Sequence, residues 1–113
     1  MTKNNAPSLI LASSSTVRRT LLENAGVSFQ VIPANVDEDA IKQSMFADNA
    51  KAIDAALVLA NLKAVRVSNQ TPDALVIGAD QILDMDGVWF DKPPDMDHAR
   101  SHLLKLRGRS HEL

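Results

Sequence analysis

Leu75-Val-Ile-Gly-Ala-Asp80 is an apolar run that stops at a carboxylate, and Lys92 follows just ahead of Pro93-Pro94. Such a run predicts a strand buried on both faces. Ligands of open α/β sheets gather at the C-terminal ends of central strands. A carboxylate there, beside the small Gly78, suits a divalent metal or a general base acting on water. An aspartate making turn hydrogen bonds fits the same residues. The prolines stiffen the backbone so that the Lys92 ammonium can be aimed at a phosphate, and a plain surface lysine fits as well.

Earlier in the chain, Ser13-Ser14-Ser15 precedes Arg18 and Arg19. Unpaired N–H groups at a helix start, with hydroxyls and guanidinium groups beside them, make an anion site. A serine cap followed by two solvated arginines is the plainer reading. Asp37-Glu38-Asp39 offers the oxygen ligands that Mg²⁺ prefers, or simply a favourable charge at a helix start. Lys63 lies in an alanine- and leucine-rich stretch and faces either a ligand or water. Asp84-Met-Asp86-Gly87 is not a calcium loop, because Gly87 in the sixth loop position puts Ile82 in the first. His98 and His102 lack the glutamate of an H-E-x-x-H motif, and with His111 they do not make a zinc set.

These residues need elements to hold them. Leu9–Ala12 predicts a short strand. Over Thr16–Ala25, the apolar Val17, Leu21, Leu22 and Ala25 fall on one helical stripe, with Ser15 as N-cap and Gly26 at C′. Phe29–Ile32 reads as a second strand, and Val36 opens a weak helical segment to about Met45. Asp48 is expected to cap a longer helix over residues 49–67. After the Leu75 strand, Asp86-Gly87 forms a hairpin turn that returns through Val88-Trp89-Phe90. Asp95 caps a last helix to Leu106, Gly108 stops it, and Ser110–Leu113 begins another strand. The order β-α-β-α-α-β-β-α-(β) predicts an α/β domain, a mixed sheet flanked by helices.

The 113 residues are enough for one domain with one core. A net charge of −2 implies no bulk attraction to nucleic acid or membrane. The absence of cysteine excludes disulfides and thiolate chemistry. Residues 1–7 read as a frayed end, and Leu9–Ala12 is too short for a signal h-region. No apolar run is long enough to span a membrane, so a cytoplasmic protein is expected.

Taken in order, these pieces resemble the Maf family of nucleoside triphosphate pyrophosphatases across nearly the whole chain. The matching stretches are Leu11-Ala-Ser-Ser-Ser15-Thr-Val-Arg18-Arg19, Val36-Asp37-Glu38, Leu59-Ala-Asn-Leu-Lys63-Ala64, Ile77-Gly-Ala-Asp80-Gln81, Asp86-Gly87 and Lys92-Pro93. Ala99, Leu103, Leu106-Arg-Gly108 and His111 continue the pattern. The resemblance implies hydrolysis of a nucleoside triphosphate to the monophosphate and pyrophosphate, with a divalent cation, Mg²⁺ or Mn²⁺. It associates the protein with house-cleaning of modified nucleotides and with cell division, and a homodimer is an expected assembly. It implies that Asp80 is the proton acceptor and, with Glu38, lies near the metal. It also implies that Ser13, Arg18, Lys63 and Lys92 hold the triphosphate.

Three departures carry information. Where the family usually has Ser-Pro-Arg-Arg, this chain has Ser15-Thr16-Val17-Arg18. The usual Asp-Thr is Asp80-Gln81, which resembles the branch that prefers 7-methyl-GTP and makes Gln81 a substrate-binding candidate. That branch usually has a tryptophan where Val17 stands, so the base stays open. Family members are about twice as long, so the domain over residues 1–113 is expected to lack its C-terminal half. A non-catalytic nucleotide-binding or regulatory module, or an inactive fragment of such an enzyme, is the alternative expectation.

Overall fold

The computed structural model describes residues 7–113, so of the expected frayed end, residues 1–6 lie outside it. Strand β1 (Leu9–Leu11) is followed by helix α1 (Thr16–Asn24), strand β2 (Gln30–Val31) and helices α2 (Glu38–Ala47) and α3 (Ala52–Ser68). Strands β3 (Leu75–Ile77), β4 (Leu83–Met85) and β5 (Val88–Phe90) and helix α4 (Met96–Leu106) complete the series. This is the expected α/β order. The strands divide into two groups, a parallel sheet ordered β2-β1-β3 and an antiparallel β4-β5 hairpin. An isolated antiparallel bridge joins Asp84 to Glu112, so the strand expected at Ser110–Leu113 is a single bridged residue. Among the described residues no helix is long and apolar enough to cross a membrane.

The core forms where β1, the central strand, meets its neighbours. Ile10, Leu11 and Ala12 are almost fully buried, and Val67 of α3 packs with Ile10, Ala12 and Ala34. Helix α3 buries Ala55, Leu59, Lys63 and Val67. These four recur every fourth residue, a single stripe along the helix. Three are apolar and the fourth is a lysine. The backbone just past β3 meets α3 at Gly78, where an added Cβ would lie 2.2 Å from the Ala60 carbonyl oxygen and 2.8 Å from the Ala64 nitrogen. Only glycine permits that approach.

Local chemistry sets the element ends. The Ser15 hydroxyl accepts from the Arg18 N–H, the Asp37 carboxylate from Ala40 N–H and the Asp95 carboxylate from His98 N–H. Helix α1 closes in a Schellman motif, with Gly26 N–H donating to Glu23 and Val27 N–H to Leu22. Asp86 and Gly87 have φ values of 52° and 86°, as a two-residue primed hairpin turn requires.

Four expectations are corrected. Asp48 does not cap α3, which starts after Lys51 without a side-chain cap. Asp48 is instead the C-cap of α2, because Asn49 takes a φ of 58° and closes that helix in a second Schellman motif. Asparagine enters the left-handed region at small cost, so an N-cap signal lay over a C-terminal one. Strand β3 is not buried on both faces: Leu75 is 58% exposed and Ile77 37%. Nor is it central, since it forms an edge of the parallel sheet and only one of its faces packs on α3. The apolar stripe of α1 also remains in solvent, with Val17 and Leu21 exposed. Periodicity marks a face but does not supply a partner for it. The radius of gyration is 16.8 Å, against about 13 Å for a compact domain of this length, which matches so much uncovered apolar surface.

Candidate active site

Six segments of the chain converge on one cleft of about 810 Å³. The segment after β1 delivers Ser13, the start of α1 delivers Arg18, and α3 delivers Lys63. The turn after β2 passes through Asn35, at φ 54°, and sets Glu38 and Lys42 of α2 against the same space. Asp80 and Gln81 enter from the loop after β3, and Lys92 from the loop after β5. A larger cavity of about 1020 Å³ adjoins it at Asp80 and Gln81, beside the edge-to-face pair of Phe46 and Trp89. Among the described residues Lys51 is the only basic one lining that larger cavity, whereas Arg18, Lys42, Lys63 and Lys92 line the smaller one. The smaller cleft thus gathers most of these basic side chains, together with the carboxylates of Asp37, Glu38, Asp39, Asp80 and Asp91.

Its floor is an ion cluster. The Lys63 ammonium donates to Asp80 Oδ1 at 3.1 Å and to the Ala79 carbonyl at 3.3 Å, and it pairs with Glu38 Oε1. The Lys63 side chain is 8% exposed and that of Asp80 5%, whereas that of Glu38 is 40% exposed. Burying charges so deeply is tolerated only when they are paired. One atom escapes the pairing: Asp80 Oδ2 is buried with no hydrogen-bond partner. An orphaned buried carboxylate oxygen is rare in a folded protein and calls for a partner beyond the chain's own groups, such as a water or an ion.

At the other end of the cleft, Arg18 Nη1 donates to the Ser13 hydroxyl at 3.1 Å, and Ser13 is itself buried. The Ser13 hydroxyl also accepts from the Ser15 N–H, which fixes the loop ahead of the α1 N-terminus. Serine and arginine thus act together, beyond the helix cap alone. Gln81 and Lys92 are exposed at the rim, and no ion pair engages Lys92 among the described residues.

All seven predicted positions therefore border one space, with Lys63 joining the two acidic ones. Two residues of the site escaped the sequence reading. Lys42 Nζ lies 3.6 Å from Asp91 Oδ1, joining α2 to the loop after β5. Glu38 and Lys42 are four apart on α2, a spacing that reads as an ordinary solvated helix pair. Asp91 is one residue before Lys92 and carried no signal of its own.

Among the described residues no group of three His, Cys, Asp or Glu side chains gathers as a metal site. The free Asp80 Oδ2 and the nearby Glu38 carboxylate nevertheless fit a hard cation that draws its remaining oxygens from water and phosphate.

The pattern of the Maf-like protein family matches residues 8–113. A nucleoside triphosphate pyrophosphatase of Granulibacter bethesdensis is 55% identical over 105 residues, which cover 93% of this chain and 53% of that protein. Another from Paramagnetospirillum magneticum is 56% identical, covering 92% of this chain and 54% of the relative. A 7-methyl-GTP pyrophosphatase of Mesorhizobium japonicum is 47% identical, covering 93% and 53%. The chain spans about half the length of the curated relatives it matches. On the strength of a match that runs through every element from β1 to α4, the chain belongs to the Maf-like protein family.

Proposed function

We propose that the cleft hydrolyses a nucleoside triphosphate to the monophosphate and pyrophosphate. The observation that carries this reading is the buried, unpartnered Asp80 Oδ2 at the floor of a cleft with basic residues along its walls. The names of the relatives, nucleoside triphosphate pyrophosphatase and 7-methyl-GTP pyrophosphatase, support the same class.

In this mechanism Lys63 holds Asp80 by Oδ1 and leaves Oδ2 without a partner in the chain. Oδ2 takes a proton from a water as the water oxygen bonds to the α-phosphorus. The bond from that phosphorus to the bridging α–β oxygen breaks, and pyrophosphate leaves. Arg18, held by Ser13, and Lys92 at the rim attract the triphosphate and stabilise the charge on its oxygens. Asp80 and Glu38 would hold a divalent cation, Mg²⁺ or Mn²⁺, which supplies charge neutralisation on the phosphates when bound. Gln81 offers an amide at the rim, where its donor and acceptor suit a nucleobase edge. Asp80-Gln81 resembles the branch that prefers 7-methyl-GTP, whereas Val17 departs from that branch, so the screen below decides the base.

The test is a hydrolysis screen over canonical and modified nucleoside triphosphates with Mg²⁺ or Mn²⁺, scored for both products. Asp80→Asn preserves shape while removing the proton acceptor, and turnover should fall about 10²- to 10⁴-fold. Undiminished turnover in that variant removes Asp80 from its role. Nucleotide binding without any turnover in the unmodified chain would instead favour a non-catalytic module.

A further inference from the structure

An ammonium has three N–H donors. Those of Lys63 face Glu38, Asp80 and the Ala79 carbonyl. Two of the three are engaged by carboxylates, one of them on a side chain that is 5% exposed, so Lys63 is largely occupied by the floor and a triphosphate needs further cations. Arg18 and Lys92 are two. Among the described residues Lys42 is the remaining basic one of the cleft, and its environment differs from that of Lys63.

The Lys42 side chain is 20% exposed, so most of it is packed against the protein. Its one carboxylate partner, Asp91, is 74% exposed and stands at 3.6 Å, beyond hydrogen-bond length. A solvated pair of that kind is weak and easily exchanged. Glu38 lies one turn before Lys42 on the same face of α2, so the ammonium stands on the side where the acidic floor opens to the rim.

We propose that Lys42 is a phosphate-binding residue of this cleft, kept in place by Asp91 until a triphosphate oxygen takes that carboxylate's position. The proposal rests on the nucleotide reading above and deepens it. Asp91 is then a placeholder that a ligand must displace. Removing it should help binding, whereas removing Lys42 should harm it.

Inorganic tripolyphosphate, titrated calorimetrically into the chain with and without Mg²⁺, isolates this contact from base recognition and turnover. Lys42→Met should weaken binding about tenfold, the loss of one charge-assisted hydrogen bond, and should reduce its salt dependence. Lys42→Arg should restore most of the affinity, and Asp91→Asn should leave binding equal or tighter. A merely structural link between α2 and the β5–α4 loop predicts the opposite for Asp91→Asn, which would then weaken binding as Lys42→Met does. That result overturns the proposal, as does unchanged affinity in Lys42→Met or no binding by the parent chain. If tripolyphosphate binding depends on Lys42 but no nucleotide is hydrolysed, the catalytic reading falls and the phosphate contact stands. If nucleotides are hydrolysed with the same KM in Lys42→Met, only the phosphate contact falls.

Discussion

Lys63 and Lys42 face the same cleft from neighbouring helices, yet their surroundings are opposite. Lys63 is buried in the stripe of α3 that covers the parallel sheet, and two carboxylates and a carbonyl surround its ammonium. Lys42 reaches one exposed carboxylate across the cleft mouth. Desolvation separates them. A charge removed from water must be fully paired, and its partners become fixed. A charge at the rim keeps its water and can change partners. The floor is thus suited to holding Asp80 in one orientation and the rim to admitting a charged ligand.

The largest expected effect breaks the floor. Lys63→Met keeps the length of the side chain but leaves Asp80 buried without its cation, and it should cost about 3 to 5 kcal/mol of stability. Adding Asp80→Asn should recover part of that loss, since the two residues are in contact and their effects are coupled. Lys42→Met should cost no more than about 1 kcal/mol. Urea denaturation measures all three, and equal losses at the two lysines would erase the contrast.

A smaller effect tests the frame that holds the floor. In Gly78→Ala the new Cβ would meet the Ala60 carbonyl at 2.2 Å, so α3 must move away from the strand. A loss of about 1 to 3 kcal/mol is expected. Because α3 carries Lys63, and Asp80 is two residues beyond Gly78, pyrophosphate release should fall with stability. Wild-type melting and turnover in this variant would show that the close approach is not needed.

The smallest effect lies at the solvated extreme, where Asp95 caps α4. The His98 backbone N–H, and then its ring, hold the Asp95 carboxyl below the usual carboxylate range. A lowered folded-state pKa adds stability that is present above the unfolded value. That stability is lost as pH falls through the folded value. Asp95→Asn should therefore melt at a temperature closer to that of the parent as the solution is acidified. A difference between the two that stays constant through the acid range would count against the cap's charge.

Much of this was legible in the residues. The element order, the caps at Ser15 and Asp95, and the primed turn at Asp86-Gly87 all follow from contacts among near neighbours. Asp37 was read inside the segment that it in fact caps, and Asp48 was read as opening a helix when it closes one. Both errors are local signals that overlap. The apolar residues of α1 and β3 failed differently, because burial needs a second surface and no near neighbour reports whether one is present.

The sequence by itself determined which residues stand at the ends of elements, and so singled out Ser13, Arg18, Glu38, Asp80 and Lys92 as candidates there. Backbone conformation and capping are settled within a few residues, which is why a linear reading finds them. Only the tertiary structure decided that Lys63 belongs to the floor and Lys42 to the rim. Lys63 meets a carboxylate 17 positions away, and its burial comes from the packing of α3 against the sheet. What separates two lysines on adjacent helices is how much water each keeps, a property of the folded surface and not of either side chain.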